Sequence, residues 1–495
     1  MKSYLLAVMI ITALVSPFRN AAAGTVDGGG AHSSIVKEHQ GLWLGDLKLP
    51  DGRVMRIGAE LLVRADGSAW ASFASPDQDA YDMPVKKVTE ASRTVELDIG
   101  MAILAMTWSN DHFDGAYAQN GPPLPFVLHQ VADFPRRSRP QTPLGPFPYR
   151  ERDLVISSGG GVVLAGTLSL PDGKANPNVV VLVAGSGPIA RDGGVAGHQE
   201  FAVMADYLAR RGIAVLRYDK RGVARSTGSY EQHTVAQLAN DLHAVLKVLR
   251  AGKNFGRIGV VGVSEGPGLA AAVAARDPAS VDFVVSLAGV GVNGLELLLL
   301  QDRLYAIDKG AGPAEVARLM PYVRKYYESV LKHEDMDRRI AALKDAFQSL
   351  SISDQALVRK YEMNQGTLSL EWAAEPALRA SLLSNPAVDW RAVESPVLVL
   401  HGSLDHQVPA DENQGGILAA LRAGGNMRVE SARLPSVNHL FQTAKTGADE
   451  EYSQIEETIA PIALQRIASF VLKQQKVSGA VARQPLTGST SQMPQ

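Results

Sequence analysis

The sequence predicts an α/β protein with a mostly parallel central sheet flanked by helices, preceded by a small all-β domain. Three observations predict this arrangement. Short strand-like segments separated by turn residues fill 37–133, a proline-rich stretch follows over 134–150, and from 151 onward apolar strands alternate with helical segments. Continuous Val/Ile/Leu strands of this kind are typical of a parallel sheet that is covered on both faces. At 495 residues the chain is long enough for more than one domain.

The overall charge is nearly balanced. The 49 basic and 51 acidic residues leave a net charge of −2, which gives no sign of a nucleic-acid or anionic-membrane partner. The chain contains no cysteine. Disulfides, a thiol nucleophile and a lipid-modified cysteine are therefore excluded.

The first 23 residues have the pattern of a secretory signal peptide. Lys2 forms a short positive region, an apolar run extends from Tyr4 to Val15, and three alanines end the segment at Ala23. Pro17 cuts the apolar run well short of the roughly 20 residues that a membrane span needs. We expect a mature chain that starts near Gly24, without a membrane anchor, in the periplasm or outside the cell.

The β-rich segment over 37–133 predicts a barrel or a sandwich. Its tryptophans, Trp43, Trp70 and Trp108, are expected in the core rather than at a ligand platform. The stretch over 134–150 contains five prolines and predicts a semi-rigid linker.

The segment over 151–473 predicts the main α/β domain. Its strand–helix alternation stops near Gly289 and resumes at Ser395. Helical periodicity between these points predicts an inserted helical subdomain, a cap over about 291–390. The last residues, 474–495, are rich in Gln, Ser, Thr and Pro, which predicts a disordered tail.

A candidate nucleophile lies in the pentapeptide Gly-Val-Ser-Glu-Gly, at Ser264. It stands directly between an apolar strand segment and an Ala-rich helical segment. In a nucleophile elbow the serine takes a strained conformation, and small residues two positions away let neighbouring backbone approach. Pro267 suits the first turn of the helix, where an N–H has no intrahelical partner. The alternative is a purely structural turn.

A serine nucleophile needs a base and an acid that orients the base. At such an elbow they follow in the order acid, then histidine, and Asp405 and His439 occupy those places. His401 and His406 flank the acid, but their loop spacing lacks the geometry of a metal motif. The sequence therefore predicts a Ser264–His439–Asp405 triad and no metal or cofactor.

An acyl-transfer enzyme also needs donors for the oxyanion of its intermediate. We expect the N–H of Glu265, the residue after the nucleophile, and the N–H of Ser186, in the glycine-rich loop after an early strand. A phosphate-binding loop is the alternative for the second segment. Its spacing fits neither of the common phosphate-loop patterns.

Five blocks carry a family resemblance: VAGSGP, LRYDKRGVARSTG, GVSEGPG, LHGSLDHQVP and NHLFQTAKTG. From about Tyr149 to Leu472 the chain resembles α/β-hydrolases of the secreted bacterial esterase and serine-aminopeptidase-like group. The β-domain is similar to one that precedes the catalytic domain in some secreted relatives. The resemblance implies the α/β-hydrolase fold, the triad named above, a helical cap over the site and hydrolysis of a carboxylic ester, with a small-molecule ester as substrate.

The chain departs from the usual family pattern at Ala184, Val263 and Pro267. Histidine is common at the first two positions and glycine at the third, so the acyl pocket is expected to differ from that of relatives.

Two other functions remain open. A peptidase, aminopeptidase or amidase would use the same triad and would need an acidic pair for a substrate amine, for which Glu265, Glu371 and Glu375 are candidates. A non-catalytic protein that recruits a glycan through its β-domain is the other alternative.

Overall fold

The computed structural model describes residues 34–119, 121–230, 232–361, 363 and 376–474. The predicted signal peptide and nearly all of the predicted disordered tail lie outside the described residues, as do Glu371 and Glu375. Within the described part of the chain, no helix is both long and apolar enough to cross a membrane.

The N-terminal domain is one antiparallel sheet of nine strands, with the spatial order β4-β3-β2-β1-β9-β8-β7-β6-β5. A short helix, α1 (Ile35–Glu38), precedes it. The two end strands are not hydrogen-bonded to each other, but β5 comes back into contact with β3. The domain is thus a single curled sheet, as in an open barrel, and not a pair of stacked sheets. The strands are β1 (Gly41–Lys48), β2 (Val54–Val63), β3 (Ala69–Ser75), β4 (Ala80–Pro84), β5 (Lys87–Ala91), β6 (Thr94–Asp98), β7 (Ile103–Ser109), β8 (His112–Ala118) and β9 (Leu124–Val131).

Side chains on one face of this sheet form an apolar core. Trp43 is buried in it, and Trp108 packs against it with its ring 5.6 Å from that of Trp43. These two tryptophans are where the sequence placed them. Trp70 is only half-buried and lies outside this cluster, so its prediction as a core residue is wrong. It pairs with Leu62 near the start of β3, close to the exposed turn before that strand.

The second domain contains an eight-stranded sheet with the order β10-β11-β13-β12-β14-β15-β16-β17. The strands β10, β11 and β13 pair antiparallel, and all pairs from β13 through β12 to β17 are parallel. The carboxyl ends of the parallel strands therefore meet at one edge. The strands are β10 (Tyr149–Gly159), β11 (Val162–Pro171), β12 (Val179–Val183), β13 (Ala214–Tyr218), β14 (Ile258–Val263), β15 (Phe283–Leu287), β16 (Val397–Gly402) and β17 (Val429–Leu434).

Helices cover both faces of this sheet, and each layer has its own apolar core. The central strands are buried at almost every position, which is why they read as continuous apolar runs rather than alternating ones. The helices that pack against the sheet are α2 (Glu200–Ala209), α3 (Val235–Gly252) and α4 (Gly266–Arg276), followed after the inserted segment by α11 (Ala410–Ala423) and α12 (Pro461–Lys473).

The described residues between β15 and β16 form six helices, in the segment for which the sequence predicted an insertion. Helices α5 to α9 enclose a separate apolar core, with several tyrosines at its centre. The first of them also contacts the loop after β16, because Gln301 donates to the carbonyl of Gln407 at 2.8 Å. The helices are α5 (Gly294–Asp308), α6 (Pro313–Lys332), α7 (Met336–Gln348), α8 (Ile352–Lys360), α9 (Pro376–Leu383) and α10 (Ala387–Arg391).

The proline-rich segment over 134–150 packs onto the second domain. Arg139 is buried, and its guanidinium donates to the carbonyls of Ala196, Ser453 and Ile455. Gln141 accepts from the N–H groups of residues 458 and 459 at 2.6 and 2.9 Å. The segment is therefore held along the surface of the α/β domain.

Candidate active site

Ser264 occupies a strained turn between β14 and α4. Its φ is +58°, in the left-handed region that residues other than glycine rarely adopt. Its N–H donates to the carbonyl of Leu287 at 2.9 Å. The flanking glycines are needed for space. A Cβ at Gly262 would lie 2.4 Å from the nitrogen of Pro267, and one at Gly266 would lie 2.3 Å from the carbonyl oxygen of Val183. The turn therefore places the serine at the carboxyl edge of the sheet.

Asp405 and His439 meet at the same edge, from the loops after β16 and β17. The Nδ1 atom of His439 lies 3.0 Å from each carboxylate oxygen of Asp405. Oδ1 of Asp405 also accepts the N–H groups of Gln407 and Val408, at 3.0 and 2.8 Å. Asp405 is 3% exposed and His439 is 5% exposed. The acid is thus held by the backbone of its own loop and faces the imidazole.

Of the three side chains of the predicted triad, Asp405 and His439 are hydrogen-bonded to each other. Within the described residues, Ser264 Oγ makes no hydrogen bond with His439, although both lie beyond the carboxyl ends of parallel strands of one sheet. Catalytic hydrogen bonds of this kind are often long in the absence of substrate and shorten in the reacting complex.

The loop after β12 lies against Ser264. A Cβ placed on Gly185 would lie 2.9 Å from the Cβ of Ser264 and 3.5 Å from its Oγ, so only a glycine fits there without displacing the serine. The N–H groups of Ser186 and Glu265, the two predicted oxyanion donors, have no hydrogen-bond acceptor among the described residues. Unpaired backbone donors are rare in folded proteins unless water or a ligand satisfies them.

The sequence did not single out two side chains that hold this loop. The ammonium group of Lys220 donates to the carbonyl oxygen of Gly185, and the hydroxyl of Tyr230 accepts from the N–H of Gly187 at 2.6 Å. Both belong to the segment between β13 and α3; Lys220 lies inside the block LRYDKRGVARSTG, and Tyr230 follows two residues after its end. The position of Lys220 in the sequence could have indicated this role. It comes two residues after the parallel strand β13, and therefore lies at the sheet edge that carries Ser264.

A buried polar network holds the loop of His439. Asn438 and Gln442 exchange two hydrogen bonds of 2.9 Å, and Nε2 of Gln442 also lies 2.9 Å from Nε2 of His198. Nδ1 of His198 lies 3.0 Å from the hydroxyl of Thr458. Burial lowers the pKa of His198 to about 4, so its imidazole is neutral near pH 7. The network therefore contributes shape and rigidity, and no charge, to the loop of His439.

The other two histidines of this region point to different partners. His401 lies with Nε2 3.1 Å from the carbonyl oxygen of Gly289, in the core, and His406 lies with Nδ1 2.9 Å from Oδ2 of Asp308 on α5. No group of three or more His, Cys, Asp or Glu residues suited to a metal ion occurs in the ranges that the structure describes.

Comparison with protein families gives a match over residues 192–425, to the family described as serine aminopeptidase, S33. Over this segment the chain is similar to the serine aminopeptidase S33 family of α/β-hydrolases. The matched range contains Ser264, Glu265 and Asp405, whereas Ser186 and His439 lie outside it. The strand order of the second sheet agrees with the α/β-hydrolase fold that the sequence predicted.

This α/β-hydrolase is also similar to esterase EstD of Thermotoga maritima. The two share 31% identity over 143 residues, which is 29% of this chain and 33% of EstD. The matched stretch thus spans about a third of the length of that relative.

Several solved structures superpose on part of the chain. Est1E of Butyrivibrio proteoclasticus with bound ferulic acid has 15% identity and a TM-score of 0.38, over 65% of this chain and 98% of its own. The Pyrococcus furiosus esterase PF2001 has 15% identity and a TM-score of 0.39, over 70% and 100%. Proline iminopeptidase of Mycobacterium smegmatis has 16% identity and a TM-score of 0.39, over 65% and 98%.

Proposed function

We propose that this α/β-hydrolase is a serine carboxylesterase that works through an acyl-enzyme. The observation that carries the proposal is the strained Ser264 at the sheet edge where His439 meets Asp405, near two backbone N–H groups that have no acceptor in the described part of the chain. The similarity to esterase EstD supports the choice of esters.

The proposed reaction begins when Ser264 Oγ attacks the ester carbonyl and its proton passes to Nε2 of His439. Asp405 holds the Nδ1–H tautomer and stabilises the imidazolium that forms. The N–H groups of Ser186 and Glu265 donate to the tetrahedral oxyanion. The alcohol leaves with the proton of His439, and water, activated by the same imidazole, then releases the acid and restores the serine.

The helices between β15 and β16 are proposed to cap this site. Two contacts support the placement: Gln301 of α5 donates to the carbonyl of Gln407, and Asp308 at the end of the same helix lies 2.9 Å from His406. Both partners belong to the loop that carries Asp405. A cap in this position would shape the acyl or alcohol pocket.

The peptidase alternative, which the family description favours, requires a carboxylate that binds a substrate amine. Glu265, one candidate, lies with Oε2 3.6 Å from the ammonium of Lys220. Its charge is therefore already paired. Glu371 and Glu375 lie outside the described residues. Among the described residues, no contact thus provides a site for a substrate amine. Ester hydrolysis therefore remains our first proposal.

Export is part of the proposal. It rests on the signal-peptide pattern over residues 1–23. N-terminal sequencing of the protein from its native host checks it: we expect a chain that begins near Gly24, and an intact Met1 would contradict export with cleavage.

The activity is tested with aryl esters of increasing acyl length beside aminoacyl and peptidyl anilides. Wild-type protein should hydrolyse esters, and Ser264→Ala should lose about 10⁴-fold or more in kcat/KM. Ser431→Ala, at an exposed serine on β17, is the matched control and should keep wild-type rates. Dominant anilide turnover would instead support a peptidase, and activity that survives in Ser264→Ala would remove the serine from the mechanism.

A further inference from the structure

Lys220 is a buried cation beside the proposed oxyanion hole. Its side chain is 4% exposed, its ammonium group donates to the carbonyl oxygen of Gly185, and Nζ lies 3.6 Å from Oε2 of Glu265. Burial lowers the pKa of this lysine, and the carboxylate of Glu265 acts in the opposite direction. A buried ammonium is costly without partners, so both contacts favour its presence in charged form.

The carbonyl that Lys220 binds belongs to the same peptide group as the N–H of Ser186. This peptide is trans, and in a planar trans peptide the carbonyl and the N–H point in opposite directions. An ammonium that holds the carbonyl of Gly185 therefore also sets the direction of the Ser186 N–H. A hydrogen bond to the carbonyl also polarises the peptide, which makes its N–H a stronger donor.

Tyr230 fixes the next peptide of the loop. Its hydroxyl accepts the N–H of Gly187 at 2.6 Å, and its ring centre lies 5.5 Å from Nζ of Lys220. Two consecutive peptides of the loop are thus held from one side by side chains of the segment between β13 and α3. The Ser186 N–H lies between these two anchors.

Glu265 connects the lysine to the other proposed donor. Its own N–H is the second oxyanion donor, and its carboxylate pairs with Lys220. Oε2 is buried and makes no hydrogen bond within the described residues, so the lysine is the group that compensates its charge there. Lys220 therefore contacts the peptide group that carries the Ser186 N–H, at the Gly185 carbonyl, and the side chain of Glu265, at its carboxylate.

We propose that Lys220 is a positioning residue of the oxyanion hole, which orients and polarises the Gly185–Ser186 peptide and holds Glu265 at the start of α4. The inference rests on the proposed serine-esterase function. Lys220 does not touch the substrate in this scheme. It acts through the two backbone donors.

The first test is Lys220→Met, with Lys247→Met, an exposed lysine on α3, as the matched control. Loss of one oxyanion donor costs about 10²- to 10³-fold in kcat, so we expect misorientation of one donor to lower kcat about 10- to 100-fold. KM should change little. The inhibition constant of an aryl trifluoromethyl ketone, which places an oxyanion in the hole, should rise in parallel with the loss of kcat. The control should match the wild type in all three quantities.

Two further variants keep the test decisive if Lys220→Met folds poorly. Lys220→Met combined with Glu265→Gln leaves no buried charge unpaired, and Tyr230→Phe removes only the hydroxyl that accepts from Gly187. The double variant should retain the kcat defect while recovering stability, and Tyr230→Phe should show a smaller loss of kcat with unchanged KM.

The outcomes separate this inference from the proposed function. Wild-type rates in Lys220→Met, or full kcat in both the double variant and Tyr230→Phe, would overturn the role of Lys220 while leaving the esterase intact. A wild-type protein that hydrolyses no ester and whose Ser264 is not labelled by an organophosphate would overturn the proposed function, and the inference with it.

Discussion

The imidazole of His439 and the carboxylate of Asp405 face each other symmetrically, with Nδ1 3.0 Å from both Oδ1 and Oδ2. The carboxylate is oriented by its own loop, because Oδ1 also accepts the N–H groups of Gln407 and Val408. Among the described residues, Oδ2 has the histidine as its only hydrogen-bond partner, whereas Oδ1 has three. Because only Oδ1 accepts backbone N–H groups, the two oxygens are not equivalent, and this difference determines how an asparagine side chain would be oriented at position 405.

Asp405→Asn should reverse the tautomer of His439. The two backbone N–H groups require an oxygen at the Oδ1 position, so the NH₂ group of the asparagine would face Nδ1 and force the ring proton onto Nε2. That nitrogen then has no lone pair for the proton of Ser264. We expect kcat to fall about 10⁴-fold with the folded structure retained.

Steady-state ester kinetics and a thermal melt check this prediction. Asp411→Asn, at an exposed carboxylate paired with Arg433, is the matched control and should keep full activity. A fall of less than about tenfold in Asp405→Asn would contradict the proposed role of the acid.

The left-handed backbone conformation of Ser264 should lower the free energy of unfolding. The left-handed conformation costs a non-glycine residue roughly 1 to 2 kcal/mol, a cost that glycine does not bear. Ser264→Gly and Ser264→Ala both remove the nucleophile, and we expect the glycine variant to be more stable by about 1 kcal/mol. The usual order at ordinary positions is the reverse.

Urea unfolding of both variants measures the difference. The same pair of substitutions at Ser431, on β17, serves as the control, where alanine should be the more stable of the two. Equal or greater stability of Ser264→Ala would show that the turn stores no strain.

His198 should make the unfolding free energy depend on pH. Its pKa falls from 6.5 to about 4 in the fold, so between these values the unfolded chain binds more protons. The stabilising contribution is therefore complete above about pH 6.5 and is lost as the pH falls towards 4. The shift corresponds to a loss of about 3 kcal/mol at most.

The measurement is the difference between wild type and His198→Gln, from urea unfolding at pH 7 and pH 4.5. Desolvation raises the pKa of Glu200 to about 7, which favours the fold at lower pH, so the wild-type curve by itself does not isolate the histidine. We expect the stability gap between the two proteins to narrow or reverse at pH 4.5. An equal gap at both pH values would remove His198 as the cause.

Arg64 should link the β-domain to catalysis. Its guanidinium donates to the carbonyls of Gly222 and Ala224, in the segment that carries Lys220 and Tyr230. Arg64→Leu removes this support at a distance from any substrate. We expect kcat to fall severalfold, roughly the effect of a misplaced loop, with little change in KM.

Ester kinetics compare Arg64→Leu with Arg53→Leu, whose exposed guanidinium pairs, among the described residues, only with Asp51 on its own turn. The control should behave as wild type. If both variants have wild-type kcat, the β-domain does not support the catalytic loops through this contact, and its alternative role as a glycan-recruiting module gains weight.

Several elements were predictable because their cause is local. The nucleophile turn is encoded by glycines on both sides of Ser264 and by the change from a strand pattern to a helix pattern. The start of helix α3 at Val235 also has a local cause, since Thr234 and Gln237 form a capping box there. Trp70 was mispredicted because hydrophobicity alone does not say how close a residue lies to the exposed turn of a hairpin.

The sequence by itself determined the two-domain α/β architecture, the nucleophile turn and the chain order of the proposed triad, because strand and helix periodicity and turn sterics act over a few residues. Only the tertiary structure decided that Asp405 meets His439, that Lys220 and Tyr230 hold the loop of Ser186, and that Glu265 is paired rather than free. Those contacts join residues 34 to 45 positions apart along the chain, and they exist because parallel strands bring their carboxyl ends to one edge.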